Sequence, residues 1–80
     1  LVTEAIIKNA IDASVVGMTR HVMATRNLPD YEAYRAVSES KTYALLSDPR
    51  TRLYLLTNVE LSRIYDCEKD GRLEWALKTI

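Results

Sequence analysis

The sequence predicts an all-α or mainly α protein, in which a long N-terminal helix packs with three to four shorter helices. Three observations carry this expectation. Apolar residues recur at helical spacing across residues 3–26. A threonine–glutamate capping box at Thr57 and Glu60 opens a later helix. Turn signals at Asn27-Leu28-Pro29, Asp48-Pro49 and Asp70-Gly71 divide the rest into short segments. The alternative is an α+β chain with short strands at 51–57 and 72–78.

Taken in order, the first helix has a stripe of Ile7, Ile11, Val15, Met18 and Val22, spaced by 4, 4, 3 and 4 residues. Glu4 and Lys8 add an i,i+4 pair. A second apolar set (Val2, Ala5, Ile6, Ala13, Val16 and Met23) lies on other faces, so the helix has groups to bury in more than one direction. Gly17 is its weak point or a place of close crossing, costing about 1 kcal/mol relative to alanine. Pro29 suits the first position of a second helix, with Asp30 and Glu32 in a first turn that favours acids. Tyr31, Tyr34 and Val37 mark the side expected to be buried.

Lys41–Ser47 reads as a short helix carrying Tyr43, Leu45 and Leu46, stopped by Asp48-Pro49 because the proline ring disfavours helical geometry before it. Residues 51–57, rich in threonine, tyrosine and leucine, suit an extended segment. The capping box then starts a helix with Leu61, Ile64 and Tyr65 inward, and Asp70-Gly71 stops it. Beyond, Leu73, Trp75 and Leu77 alternate like a strand while Glu74 and Lys78 pair like a helix; a short last helix is the preferred reading. In an unbroken helix Leu73, Leu77 and Ile80 would lie about 100° from the Leu61–Tyr65 stripe, so the chain must bend at Gly71.

Composition narrows the function classes. The 80 residues are 48% hydrophobic, enough for one small domain over 1–80 and too apolar for a disordered tail. Eleven basic and eleven acidic side chains cancel, and no third of the chain is a basic arm or an acidic tail. Long-range attraction to phosphate backbones or anionic membranes is therefore weak. Glu4, Lys8, Asn9 and Asp12 interrupt the apolar start, which reads as neither signal peptide nor membrane span. One cysteine allows no internal disulfide, and a reducing cytoplasm fits best.

No catalytic set assembles from the residues present, so no enzyme is expected. One histidine and one cysteine cannot build a His/Cys zinc site in one chain, the two glycines are solitary, and no metal or cofactor is expected. His21 and Cys67 form a nucleophile–base pair only on paper, since Cys67 sits among acids in YDCEKD, a poor setting for a thiolate. Asp66, Glu68 and Asp70 alternate with Arg63, Lys69 and Arg72, as on a solvated, salt-paired helix face. Lys41, Arg50 and Arg52 are a candidate anion-binding trio, weighed against a turn kept solvated by its charges.

A 24-residue helix is roughly 36 Å long, whereas a compact chain of this size is roughly 30 Å across. Helix 1 should span its own domain and meet another chain, a twofold homodimer being the commonest solution and a cognate protein the alternative. The candidate interface is Ile7, Ile11, Val15, Met18, Val22, Tyr31 and Tyr34, since tyrosine supplies contact area with a polar tip. The runner-up function is a small nucleic-acid-binding regulator, against which stand the zero net charge and the lack of a helix with clustered Arg, Lys, Asn or Gln.

The run SKTYALLSDPRTRLYLLTNVELSRIYD resembles a pattern in short uncharacterised proteins of anaerobic Gram-positive bacteria, with an S-K-T-Y-x-L-L-x-D-x-x-T-x-L-Y core between a long N-terminal helix and a closing helix. The resemblance covers residues 29–68. It implies an accessory or partner-binding role, since some such proteins lie near toxin–antitoxin-like genes; it carries over no site residue. The chain departs from the pattern at Arg52, where glycine is usual, and in a Trp75-bearing extension, which suggests an additional contact.

Overall fold

A computed structural model describes residues 3–79, which form five α-helices and two 3-10 turns: α1 (Glu4–Arg26), α2 (Asp30–Ser38), α3 (Lys41–Ser47), turns Pro49–Thr51 and Leu53–Leu55, α4 (Asn58–Lys69) and α5 (Leu73–Lys78). The all-α expectation holds, and the strand alternative does not. The first helix is about 34 Å long in a molecule measuring 39 × 28 × 19 Å, so α1 runs most of its long axis. Among the described residues, no helix is long and apolar enough to cross a membrane.

Several helix boundaries have a local cause. Thr3 caps α1, its hydroxyl accepting from the Ile6 amide at 3.3 Å. Asn27 ends α1 in the left-handed conformation (φ 54°), and its amide and that of Leu28 both donate to the Met23 carbonyl. Pro29 stands just outside α2 with ψ 161°, one place earlier than expected, and so aims the chain into the helix rather than opening it. The capping box forms at α4: the Glu60 amide donates to the Thr57 hydroxyl at 3.2 Å and the Thr57 amide to the Glu60 carboxylate at 2.9 Å. That paired acceptor role, with the Thr57 hydroxyl adding to it, holds the Glu60 carboxyl below its ordinary range. Gly71 (φ 76°) closes α4 and bends the chain, with the Arg72 amide on the Cys67 carbonyl at 2.7 Å.

The segment 51–57 is not extended. The Thr51 hydroxyl donates toward the Leu45 and Asp48 carbonyls at 2.6 and 2.9 Å, coiling the chain against the end of α3. Arg52 then takes a left-handed conformation (φ 58°), and Leu53 turns into the core. Likewise 73–78 is helical, with Ala76 buried and Leu73 and Leu77 half-buried against the core. The expectation for Ile80 falls outside the described residues.

The core joins Val15, Met18 and Val22 of α1 to Ala33 and Val37 of α2, Leu46 of α3, Leu53, and Leu61, Ile64 and Tyr65 of α4. The inward side of α2 differs from expectation. Ala33 and Val37 are buried while Tyr31 and Tyr34 are 70% and 51% exposed. Ala33 and Val37 fill the close-packed core positions of α2, and the larger rings stay outside.

Candidate interaction surface

The structure separates the candidate interface residues into two groups. Val15, Met18 and Val22 lie in the chain's own core. Ile11 packs at the core margin, and Ile7 is half-buried in a shallow groove beside Ile6, Arg52 and Leu55. Tyr31 and Tyr34 face solvent. The principal stripe of α1 therefore serves the fold, and the exposed large apolar side chains of α1 belong to the second apolar set.

That second set contributes Val16, 49% exposed. Its neighbour Val15 is buried in the core with Ala33 and Val37 of α2. A cleft of about 240 Å³ is left between the two helices, lined by Val15, Val16, Thr19, Met23 and Tyr34 together with the charged Arg20 and Asp30. The Thr19 hydroxyl is turned back to the Val15 carbonyl at 2.8 Å, so this wall presents little free polarity. Tyr31 stands one turn from Tyr34 on the same side of α2. Exposed aromatic and β-branched side chains around a concave apolar wall, bounded by one cation and one anion, have the make-up of an interface core with a polar rim.

The opposite flank of α1 is polar. Gly17 meets α4 at its first turn: a Cβ there would fall 2.5 Å from the Asn58 carboxamide carbon, so glycine permits this crossing. One turn on, His21 Nε2 hydrogen-bonds Asp66 Oδ2 at 2.9 Å across the two helices. The groove here, about 640 Å³, is also lined by Arg20, Ser62 and Arg63. Cys67 is buried behind it, and the polar partner of His21 is the Asp66 carboxylate rather than the thiol.

The other charged candidates are dispersed. Arg50 forks onto its neighbour Asp48, with Nη2–Oδ2 at 2.8 Å. That contact and the Arg50 amide hold the Asp48 carboxyl below its ordinary range. Lys41 lines a cavity beside Glu68, Arg72 and Trp75, and Arg52 lines the groove with Ile6 and Leu55. An anion does occupy this region, and it belongs to the chain. The Glu68 carboxylate accepts from the Lys41 amide at 2.9 Å, the Thr42 amide at 2.8 Å and the Thr42 hydroxyl at 2.7 Å. It thereby closes the N-terminus of α3 from 26 residues away, and Lys41 and Thr42 are its cradle. Burial pushes the Glu68 carboxyl up, but the Thr42 hydroxyl and the two amides outweigh it and hold the group below its ordinary value. In the rest of that acidic run, Asp66 faces His21, and Asp70 approaches Arg72 at 3.8 Å.

Sequence reasoning missed Glu68, because nothing local links it to residue 41. It also placed Tyr31 and Tyr34 on the buried side of α2, whereas both are exposed. Trp75 is 54% exposed, with the Arg72 guanidinium 5.3 Å from its ring centre. Compared with known proteins, the chain matches no family model, no curated protein and no solved structure.

Proposed function

We propose that this protein is non-enzymatic and works by associating with another polypeptide through the α1/α2 face. The observation that carries the reading is the uncovered apolar cleft of Val16, Met23 and Tyr34 with Tyr31 beside it, on a chain whose core is already built from other residues. Burying two tyrosines and a valine supplies the desolvated anchors that association requires, and tyrosine gives much area for little lost rotamer freedom. The charge supports a protein partner over nucleic acid: the net charge is zero, and Arg35 is engaged by Glu39 and Arg50 by Asp48.

The test compares the wild type with a Tyr31→Ser, Tyr34→Ser variant, in sedimentation across a concentration series and as immobilised bait against host extract. The reading expects self-association or a saturable host protein in the wild type and its loss in the variant, with the melting temperature unchanged. A wild type that binds neither itself nor a host protein refutes it, as does binding that the variant retains.

A further inference from the structure

We infer that the partner is a second copy of this chain, joined through an antiparallel, twofold crossing of α1 on α1 centred at Val16. This inference rests on the association reading and specifies its surface. Asp12 and Arg20 lie four residues before and four after Val16. Four residues are 40° beyond a full turn, so the two charges are displaced equally, along the helix and around it, to opposite sides of Val16. A twofold axis through Val16 reverses both displacements. It therefore lays Arg20 of each copy on Asp12 of the other, giving two symmetry-related ion pairs around a Val16–Val16 contact.

The surroundings fit this crossing. Asp12, Ala13, Val16 and Arg20 are all exposed, and Arg20 makes no ion pair among the described residues. Asp12 holds only an exposed i,i+4 contact to Lys8 at 3.4 Å, which is readily exchanged. The same operation brings Thr19 opposite Ala13 of the other copy. Tyr34, which stands beside Thr19 and Met23, then overhangs a position where the partner presents only a methyl group. A chain of zero net charge has no overall repulsion to overcome on self-association. A standard interface covers about 800 Å² per partner, roughly one-seventh of the 5548 Å² surface of this molecule.

The pairing is read by charge exchange in sedimentation equilibrium at tens to hundreds of micromolar. Arg20→Asp and Asp12→Arg should each raise the dimer dissociation constant about tenfold or more, and the double variant should restore it to near the wild-type value. All three should melt like the wild type, because both positions are exposed. Val16→Cys should oxidise to a covalent dimer that the wild type, whose Cys67 is buried, does not form. A wild type that stays monomeric overturns the inference while leaving a host partner open, to be found or refused by the Tyr31/Tyr34 comparison. A dimer indifferent to both charge reversals overturns the crossing but keeps self-association. Loss in the single variants without recovery in the double overturns the Asp12–Arg20 pairing.

Discussion

The two flanks of α1 are closed in different ways. Toward α4 the contact is close and directional: Gly17 lets Asn58 approach, His21 bonds Asp66, and the fully buried Tyr65 has Arg26 of α1 5.9 Å from its ring centre. Toward α2 the contact is apolar, with Ala33 and Val37 buried and the rings of Tyr31 and Tyr34 left outside. The α4 flank is closed by directional contacts, whereas the α2 flank is closed by apolar packing and leaves Tyr31, Tyr34 and Val16 exposed. Substitutions on the α4 flank should therefore read out in stability, and those on the α2 flank in association.

The largest expected effect tests that division at Tyr65. Truncating a fully buried aromatic leaves a cavity, so Tyr65→Ala should cost about 3–5 kcal/mol, a large share of the total for a chain of this size. Tyr34→Ser on the other flank should stay within about 0.5 kcal/mol, as exposed positions do. Tyr65→Phe separates packing from polarity. The Tyr65 hydroxyl is buried with no hydrogen-bond partner among the described residues, and burial pushes its pKa up. Removing an unsatisfied buried hydroxyl recovers part of its desolvation cost, so the phenylalanine variant should melt higher by a few degrees. Thermal unfolding of the three variants in parallel decides the matter; a Tyr34→Ser loss comparable to that of Tyr65→Ala would erase the contrast.

Much of the α4 flank is legible in the sequence, because its determinants are local. The threonine–glutamate box at 57 and 60, the inward set Leu61, Ile64 and Tyr65, and the stop at Gly71 each lie within a few residues of the structure they control. The α2 flank is misleading because Tyr31, Tyr34 and Val37 also keep helical spacing; only the closeness of α1 decides that alanine goes inward. The segment 51–57 misleads for a similar reason. Its composition suits a strand, but no strand exists among the described residues to pair with it, and the Thr51 hydroxyl is committed to the Leu45 carbonyl of α3. The trio Lys41, Arg50 and Arg52 is close in sequence yet divided in space, since Asp48 takes Arg50 and the left-handed turn at Arg52 redirects the chain toward Leu53.

A second, smaller effect concerns Glu68, which extends the directional style of the α4 flank to α3. Three donors converge on this carboxylate, and hydrogen bonds to a charged group are worth about 1.5–3 kcal/mol. Glu68→Ala should therefore lower stability by about 2 kcal/mol, or very roughly 8–16 °C in melting temperature for a domain of this length. Glu68→Gln, which keeps an acceptor for Thr42, should lose less. The pH dependence has a definite sign. The folded-state pKa is held below the unfolded value near 4.5, so this contribution is complete above that value and is lost as pH falls through the lowered folded one. Melting curves from neutral to acidic pH should show the wild-type advantage over Glu68→Gln shrinking below about pH 4.5. An advantage that persists unchanged into acid would mean that the carboxylate charge is not what holds α3.

The smallest effect is the one that most sharpens the contrast between flanks, because its sign depends on a neighbour. Alanine in place of glycine inside a helix gains about 1 kcal/mol in propensity. At Gly17 the added methyl would lie 2.5 Å from the Asn58 carboxamide, so the gain is realised only if that side chain gives way. Asn58 is exposed at the first turn of α4, but its backbone is fixed by the capping box beside it. Gly17→Ala alone should thus be neutral to slightly destabilising, with α4 pushed outward and the His21–Asp66 bond lengthened. In an Asn58→Ala background the same substitution meets less, and more of the propensity gain should appear. The coupling energy from the four melting curves should be about 0.5–1 kcal/mol, the scale of residues in direct contact. A Gly17→Ala gain that is the same with and without Asn58 would show that the two helices are not held at this crossing, and that the α4 flank is no more exacting than the α2 flank.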